Sequence, residues 1–411
     1  MTEKVLGFEE ALAMVLTEAR KLTQPAEVEV LPLLEARGRV LGKRILADRD
    51  QPPFDRSTRD GYAVRAADVA AGRTLLVLGL IRAGQSWHGD ALGDGQAIEI
   101  MTGAPLPPGA DAVLMVEHAM LLGEELQPLQ GRSLSTGDNV VPRGAEAHNG
   151  DSLLPTGCVI EAAEIAVAAS CGAARLEVFA KPRVAIIATG DELVELGKTP
   201  EAFQIRNSNS YALAALVDDA GGEAARLAMA RDTLADLRAR IAEGRETDLL
   251  LLSGGVSMGK FDLVEQVLAE YDAEFFFTGA LIQPGKPIVF GRLAREDSGW
   301  TNFFGLPGNP VSTQVCFHLF VAPMLRALAG QTDLVPRFVE ATLAGPVKGG
   351  AKVTRFLPAE MTSAWDGVSV RVVGWQGSGD IAANARGNCY AVLPAGVEAF
   401  AAGETVRVLL R

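Results

Sequence analysis

The chain has 411 residues, 48% hydrophobic and 22% charged, a globular composition long enough for about two to four domains. Lys and Arg total 38 against 51 Asp and Glu, for a net charge of −13. So acidic a chain is a poor match for nucleic acid or an anionic membrane surface, although placed cations and backbone N–H groups can still bind anions locally. The N-terminus has no leader pattern and no apolar run reaches the roughly 18 residues of a membrane span, so a cytoplasmic protein is expected. Cys158, Cys171, Cys316 and Cys389 are far apart, as are His88, His118, His148 and His318. That spacing gives no disulfide framework and no zinc cluster.

Phe8, Ala11, Leu12, Val15, Leu16, Ala19 and Leu22 recur at helical spacing, which predicts an amphipathic helix over 8–22 ended by Pro25. Residues 28–50 read as a short strand and a second helix. The segment 51–146 is rich in Gly, Pro and short alternating runs such as 74–80 and 112–116, the texture of a small β-domain. Residues 150–180 read as a return segment with an Ala-rich helix near 162–170. From Lys181 strands and helices alternate: strands at 184–188, 225–230, 249–252 and 301–306, helices at 210–220, 233–243, 263–270 and 311–328. Such alternation predicts a doubly wound parallel sheet with ligands at the strand C-termini. Beyond Gly330 short strands at 338–343, 368–373 and 405–410 suggest a C-terminal β-barrel.

The most informative stretch is 248–262. Leu249 to Leu252 form an unbroken apolar run suited to a strand buried on both faces. It stops at Ser253-Gly254-Gly255, where two glycines permit positive φ and close approach of a ligand. Strand, glycine turn and helix together present backbone N–H groups to an anion, with Asp262 at the helix start. A tight turn with a good cap explains this motif about as well. Other strand ends carry Thr189-Gly190-Asp191-Glu192-Leu193, whose adjacent acids could hold a hard cation, Arg231-Asp232, and Leu306-Pro307-Gly308-Asn309-Pro310-Val311-Ser312. Each has a plain structural reading as a capped or solvated turn. Converging on one sheet edge, they would build a Gly-rich, carboxylate-bearing pocket. Gln283-Pro284-Gly285-Lys286-Pro287 holds a lysine on a stiff backbone that could aim at an oxyanion. Asp60-Gly61-Tyr62-Ala63 and Met101-Thr102-Gly103-Ala104-Pro105 read, on their own, as turns into strands.

Taken together and in order, these motifs, with Ser257 in Ser253-Gly254-Gly255-Val256-Ser257, resemble the MoeA family of molybdopterin molybdenumtransferases, similar to the E domain of gephyrin. The resemblance runs from about residue 8 to 411. It implies a multidomain α/β-plus-β chain: an N-terminal helix (1–26) packing with the α/β or linker domain, a linker domain of two segments (27–50 and 147–180), an inserted β-rich domain (51–146), a MoaB/Mog-like molybdopterin-binding α/β domain (181–330) and a C-terminal β-barrel (331–411). The implied reaction joins molybdate to adenylylated molybdopterin, releasing AMP with Mg²⁺ as cofactor. Implied catalytic residues are Asp60, Thr102, Glu192, Asp232 and Asp262, with Glu192 and Asp262 as metal ligands. Ser253, Gly254, Gly255, Ser257, Lys286, Pro287, Pro307, Pro310 and Arg355 are implied to bind substrate, with Lys286, Pro287 and Arg355 at the molybdate end. Implied partners are a second copy in a homodimer and, transiently, the molybdopterin adenylyltransferase and acceptor molybdoenzymes.

Three departures stand out. Gln283 occupies a place where the family often has lysine. In 139–146 only Arg143 and the longer acid Glu146 remain of a segment often richer in arginine, with an aspartate. Arg386 stands near a position often held by a small hydroxyl residue. Two other functions fit parts of the pattern: a non-catalytic molybdopterin-binding scaffold, disfavoured by the acid set, and a related adenylyltransferase, disfavoured by the flanking domains. Molybdenum and tungsten are not distinguished, because their oxyanions are nearly alike in size and charge.

Overall fold

The leucine run occupies the middle of a six-stranded sheet. The protein, seen here in a computed structural model, is described over residues 4–22, 27–255, 263–296, 299–350 and 352–411. Strand order is Glu223–Arg226, Arg183–Ala188, Leu249–Ser253, Trp300–Leu306, Val289–Ala294, Glu274–Phe277. The first four strands are parallel and the last two add an antiparallel edge. The expectation of a parallel, doubly wound sheet therefore holds for four strands only. Strand Val289–Ala294 is followed almost at once by Trp300–Leu306, leaving no room for the crossover helix that a parallel pair needs.

Leu249 and Leu251 pack with Leu213, Val217 and Val315 from helices Asn209–Asp219 and Pro310–Cys316 on one face. Leu250 and Leu252 pack with Leu237, Ile241, Val264 and Val267 from helices Leu234–Gly244 and Leu263–Glu270 on the other. Helical structure continues from Pro310 to Leu328 through a π-helical turn at Phe317–Val321. This stretch is apolar and long enough to cross a membrane, but 78% of it is buried inside the protein, as a core helix would be. The strand expected at 225–230 is Glu223–Arg226, after which Leu227 N still donates to Ile186 O at 3.0 Å and the chain meets the sheet edge again at the Thr189–Ala230 bridge.

The C-terminal region forms a closed five-stranded barrel in the order Thr354–Ala364, Gly367–Val372, Phe338–Leu343, Thr405–Leu410, Cys389–Leu393, the last strand pairing back to the first. The inserted region is a six-stranded sheet that contributes to two buried clusters, one with Tyr62, Val64, Leu75 and Leu114, the other with Ala63, Ile81, Ile98 and Val113. In the linker region Val28–Pro32 pairs antiparallel with Arg175–Phe179 beside helix Ala162–Ser170. The second helix expected within 28–50 is a single 3-10 turn, Leu33–Ala36, soon followed by Gly38 at φ +77°, which stops helical propagation.

Helix Phe8–Arg20 buries Ala11, Val15 and Ala19 in the cluster that holds one face of the α/β sheet and, from the barrel, Phe356 and Tyr390. Strand Val5–Leu6 adds a parallel pair with Gly279–Ala280, and the Phe8 ring meets Phe356 edge-on at 5.2 Å. The N-terminal helix thus packs on the α/β region and on the barrel. One hydrophobic core joins all three. Phe356, fully buried, is the joint to test: Phe356→Ala should cost about 3–5 kcal/mol. Because the core is shared, urea unfolding followed by tryptophan fluorescence and by circular dichroism should shift together rather than separate.

Candidate active site

The cavity lies where the register of the sheet puts it. Ala188 pairs with Ser253, and Ser253 with Leu306, so three parallel strands end at one level and their loops leave the same edge. Ligands in such folds bind at this edge. A cavity of about 760 Å³ opens there, lined by Thr189, Gly190 and Glu192, by Asp232, by Ser253, Gly254 and Gly255, and by Pro307 to Pro310. Pro287 reaches it from the antiparallel edge, and Gly379 and Ile381 from the barrel.

Two glycines are required by this geometry. Gly254 has φ +94°, and a Cβ there would sit 2.3 Å from the Thr189 carbonyl oxygen. Gly190 has φ +148°, a backbone conformation that residues with a Cβ rarely adopt. The loops are tied to each other as well. Thr189 N donates to Ser253 O at 3.0 Å, Gly254 N to Leu306 O at 3.2 Å, and Thr189 Oγ1 to Asp232 Oδ1 at 2.7 Å. The Asp232 backbone N–H donates to Asp191 Oδ1 at 3.3 Å. Glu192 and Asp232 are exposed on the cavity. Among the described residues no group of three or more His, Cys, Asp or Glu side chains is placed to hold a metal. Two carboxylates on one cavity are nonetheless the usual protein share of a Mg²⁺ site that also uses substrate phosphate and water.

Of the substrate-binding residues expected from sequence, the structure brings Ser253, Gly254, Gly255, Pro287, Pro307 and Pro310 together with Glu192 and Asp232 on this cavity. Lys286 and Arg355 are neighbours of it rather than lining. Strand Ile282–Gln283 pairs in parallel with Thr354–Arg355, so Arg355 stands opposite Gln283, shortly before Lys286. Arg355 Nη1 donates to Lys348 O at 2.6 Å. Lys286 is exposed and makes no ion pair with a described residue. Arg386 donates to Gly374 O at 3.1 Å and does not border the cavity, so it does not stand in for a cation at Gln283. Arg143 and Glu146 are engaged in ion pairs with Asp50 and Arg56, at 2.7 and 2.9 Å. Ser257, Asp262 and the helix-ending Pro25 lie outside the described residues.

Asp60 and Thr102 form a separate pair on the inserted sheet, adjoining the paired residues Gly61 and Ile100. Asp60 Oδ1 accepts from Thr102 N at 2.7 Å and from Thr102 Oγ1 at 2.8 Å. Both bonds favour the carboxylate, and they hold Asp60 below the usual aspartate range, the backbone N–H first and the hydroxyl second. Neither residue borders the α/β cavity of its own chain.

Sequence reading passed over Asn209, Arg206, Gly379 and Ile381, all of which line the cavity. Arg206 is the single Arg or Lys among the described lining residues. Its guanidinium is steadied by Nε donating to Leu196 O at 3.2 Å. The Asn207-Ser208-Asn209 run before a helical pattern was a legible cue. The barrel residues gave none, because only the docking of the loop through Val311 N to Ser378 O, at 3.0 Å, brings them near.

A glycine-turned cavity at the carboxyl edge of a mixed α/β sheet, in a chain that also carries an inserted β-domain, a linker and a barrel, defines a multidomain protein with a ligand site at its sheet edge. Residues 185–327 match a family described as a probable molybdopterin binding domain. Residues 6–172 match the MoeA N-terminal region (domain I and II), and 340–410 the MoeA C-terminal region (domain IV). A molybdopterin molybdenumtransferase of Staphylococcus aureus (strain Mu50) is 35% identical over 377 residues, 90% of this chain and 88% of that protein. One from Haemophilus influenzae is 33% identical over 391 residues, 94% of this chain and 95% of that protein. The crystal structure of a molybdopterin biosynthesis MoeA protein from Pyrococcus horikoshii OT3 superposes with a TM-score of 0.80 at 27% identity, covering 99% of this chain and 100% of that one. The chain belongs to the MoeA family, a family of transferases in molybdenum cofactor biosynthesis.

The Asp60–Thr102 pair offers a direct check. Thr102→Val removes the hydroxyl donor and keeps the backbone one, so the Asp60 pKa should rise part of the way toward the ordinary aspartate value in a carboxyl-carbon NMR titration. The sign follows from the depressed value: the pair favours the folded state above the ordinary aspartate range and loses that contribution as pH falls through the depressed pKa.

Proposed function

We propose that this chain inserts molybdenum into molybdopterin, taking adenylylated molybdopterin and molybdate as substrates and releasing AMP in a Mg²⁺-dependent reaction. The observation that carries this reading is the single cavity that combines the Ser253-Gly254-Gly255 turn with the Glu192 and Asp232 carboxylates. A diphosphate-bearing pterin needs hydrogen-bond donors without bulk, and glycine turns provide them. Arg206 adds one fixed positive charge. Glu192 and Asp232, together with Asp262, are the proposed oxygen ligands for Mg²⁺, which when bound neutralises phosphate charge and polarises the bond to be broken. Pro307 and Pro310 stiffen the opposite wall. Ser257 is assigned to the same phosphate group in this reading.

Lys286, Pro287 and Arg355 are assigned to molybdate. The pairing of Gln283 with Arg355 supports that assignment by setting two cationic segments side by side at the seam with the barrel. A tetrahedral oxyanion is held by such cations as a phosphate or sulfate would be. Asp60 and Thr102 are assigned to the cavity of a partner copy, so the working unit is a cytoplasmic homodimer. The ready ionisation of Asp60 supports an electrostatic part for it.

The deciding experiment is incubation with adenylylated molybdopterin, Mg²⁺ and molybdate, scoring AMP release and cofactor formation. Glu192→Gln should melt like wild type, lose most AMP release and require more Mg²⁺. Wild-type turnover in this variant would make Glu192 a plain solvated acid of the turn before strand Leu193–Val194.

Lys286→Ala tests the molybdate end. Loss of one charge-assisted contact costs about 1.5–3 kcal/mol, so the molybdate concentration for half-maximal cofactor formation should rise roughly ten- to hundredfold. Saturating molybdate should restore part of the rate. Loss of pterin binding with an unchanged molybdate dependence would move Lys286 to the phosphates.

A further inference from the structure

Asn209 opens helix Asn209–Asp219 and borders the cavity. Its side-chain nitrogen lies 2.8 Å from Gly308 O, 3.0 Å from Ser253 Oγ and 3.3 Å from Thr313 Oγ1. A carbonyl oxygen can only accept, so Gly308 decides which end of the amide faces inward. The Ser253 oxygen is therefore an acceptor toward Asn209. Ser253 is only 3% exposed, and no described residue accepts its hydroxyl proton. Behind the proline turn, fully buried Thr313 donates to Pro307 O at 2.6 Å, with Asn309 O at 3.1 Å. One amide thus links three elements that the chain contributes from distant places: the helix start, the end of strand Leu249–Ser253 and the 307–310 turn.

We propose that Asn209 is a positioning residue that turns Ser253 into a hydrogen-bond donor aimed at an anionic oxygen of the substrate in the cavity, while holding the proline turn at a matching distance. This rests on the reading of the cavity as the site for an adenylylated pterin. The physical reason is local. A hydroxyl whose lone pair is occupied by a fixed donor has its proton directed away from that donor, and Ser253 is itself one of the residues that line the cavity. Without the amide, the Ser253 hydroxyl is free to rotate and turn its proton to a backbone carbonyl instead.

The test is a double-mutant cycle on the full chain, with adenylylated molybdopterin as the calorimetric probe. Wild type, Asn209→Ala, Ser253→Ala and the double variant are compared, each with a thermal melt. Each single change should weaken binding by about tenfold, the effect of one lost hydrogen bond. The double variant should bind no worse than the weaker single, within roughly twofold, because coupled groups are non-additive. Losses that multiply, or wild-type binding by Asn209→Ala, would overturn the proposal while leaving the cavity's role intact. Absence of binding by wild type would instead sink the reading of the cavity, and this role with it. Should Asn209→Ala fail to fold, Asn209→Leu, which is close in size and has no donor, takes its place in the cycle.

Discussion

The arrangement depends on the parallel register of strand Leu249–Ser253 between its two neighbours. Both faces of that strand are leucine, so a slip of one residue would exchange leucine for leucine and the apolar pattern alone defends the register weakly. The polar ends supply what the leucines do not. Thr189 N to Ser253 O and Gly254 N to Leu306 O close the ladder at one level, and the steric demand at Gly254 leaves the turn a single shape. Cavity and sheet are specified by the same few atoms.

Much of this was legible in the residues, and the gaps have physical causes. Helices Leu263–Glu270 and Ala162–Ser170 match their expected bounds because their apolar spacing is undisturbed. The barrel strand Thr354–Ala364 was missed because Pro358 sits in its middle and proline argues against an interior strand. The antiparallel edge was missed because apolar runs such as Val289–Phe290 do not declare their direction. At the site, motifs at strand ends were visible one by one, and their convergence could be argued from topology. Asn209 had a local cue in the Asn207-Ser208-Asn209 run, but its three partners lie far off in sequence and gave none. Nor was it visible that Asp60 and Thr102 would bind each other across the inserted sheet.

The electrostatics of the cavity run against first expectation. A chain of net charge −13, with two exposed carboxylates on the cavity, is assigned an anionic ligand. Attraction from bulk charge cannot account for that. Donors fixed by the fold can: backbone N–H groups at glycine turns, Arg206, and a serine hydroxyl oriented by an amide. Such groups act at short range and are little affected by salt or by distant surface charge. In the proposed reaction the acids have a use of their own as oxygen ligands for Mg²⁺, which a uniformly basic cavity would lack.

The short strand Ile282–Gln283 leaves the α/β region and enters the sheet of the barrel beside Thr354–Arg355, with Thr354 N donating to Leu281 O at 3.1 Å. Mechanically this is a rivet. Sliding the two bodies past each other would break backbone hydrogen bonds and tear the core around Phe356, so shear along that seam is stiff. The inserted sheet is fastened differently, where its two chain crossings meet as the Gln51–Ala147 bridge. Stiffness is therefore unevenly distributed: a rigid trunk of helix, α/β sheet and barrel carries a limb on a narrow stalk. The limb is therefore where bending meets least resistance from the shared core.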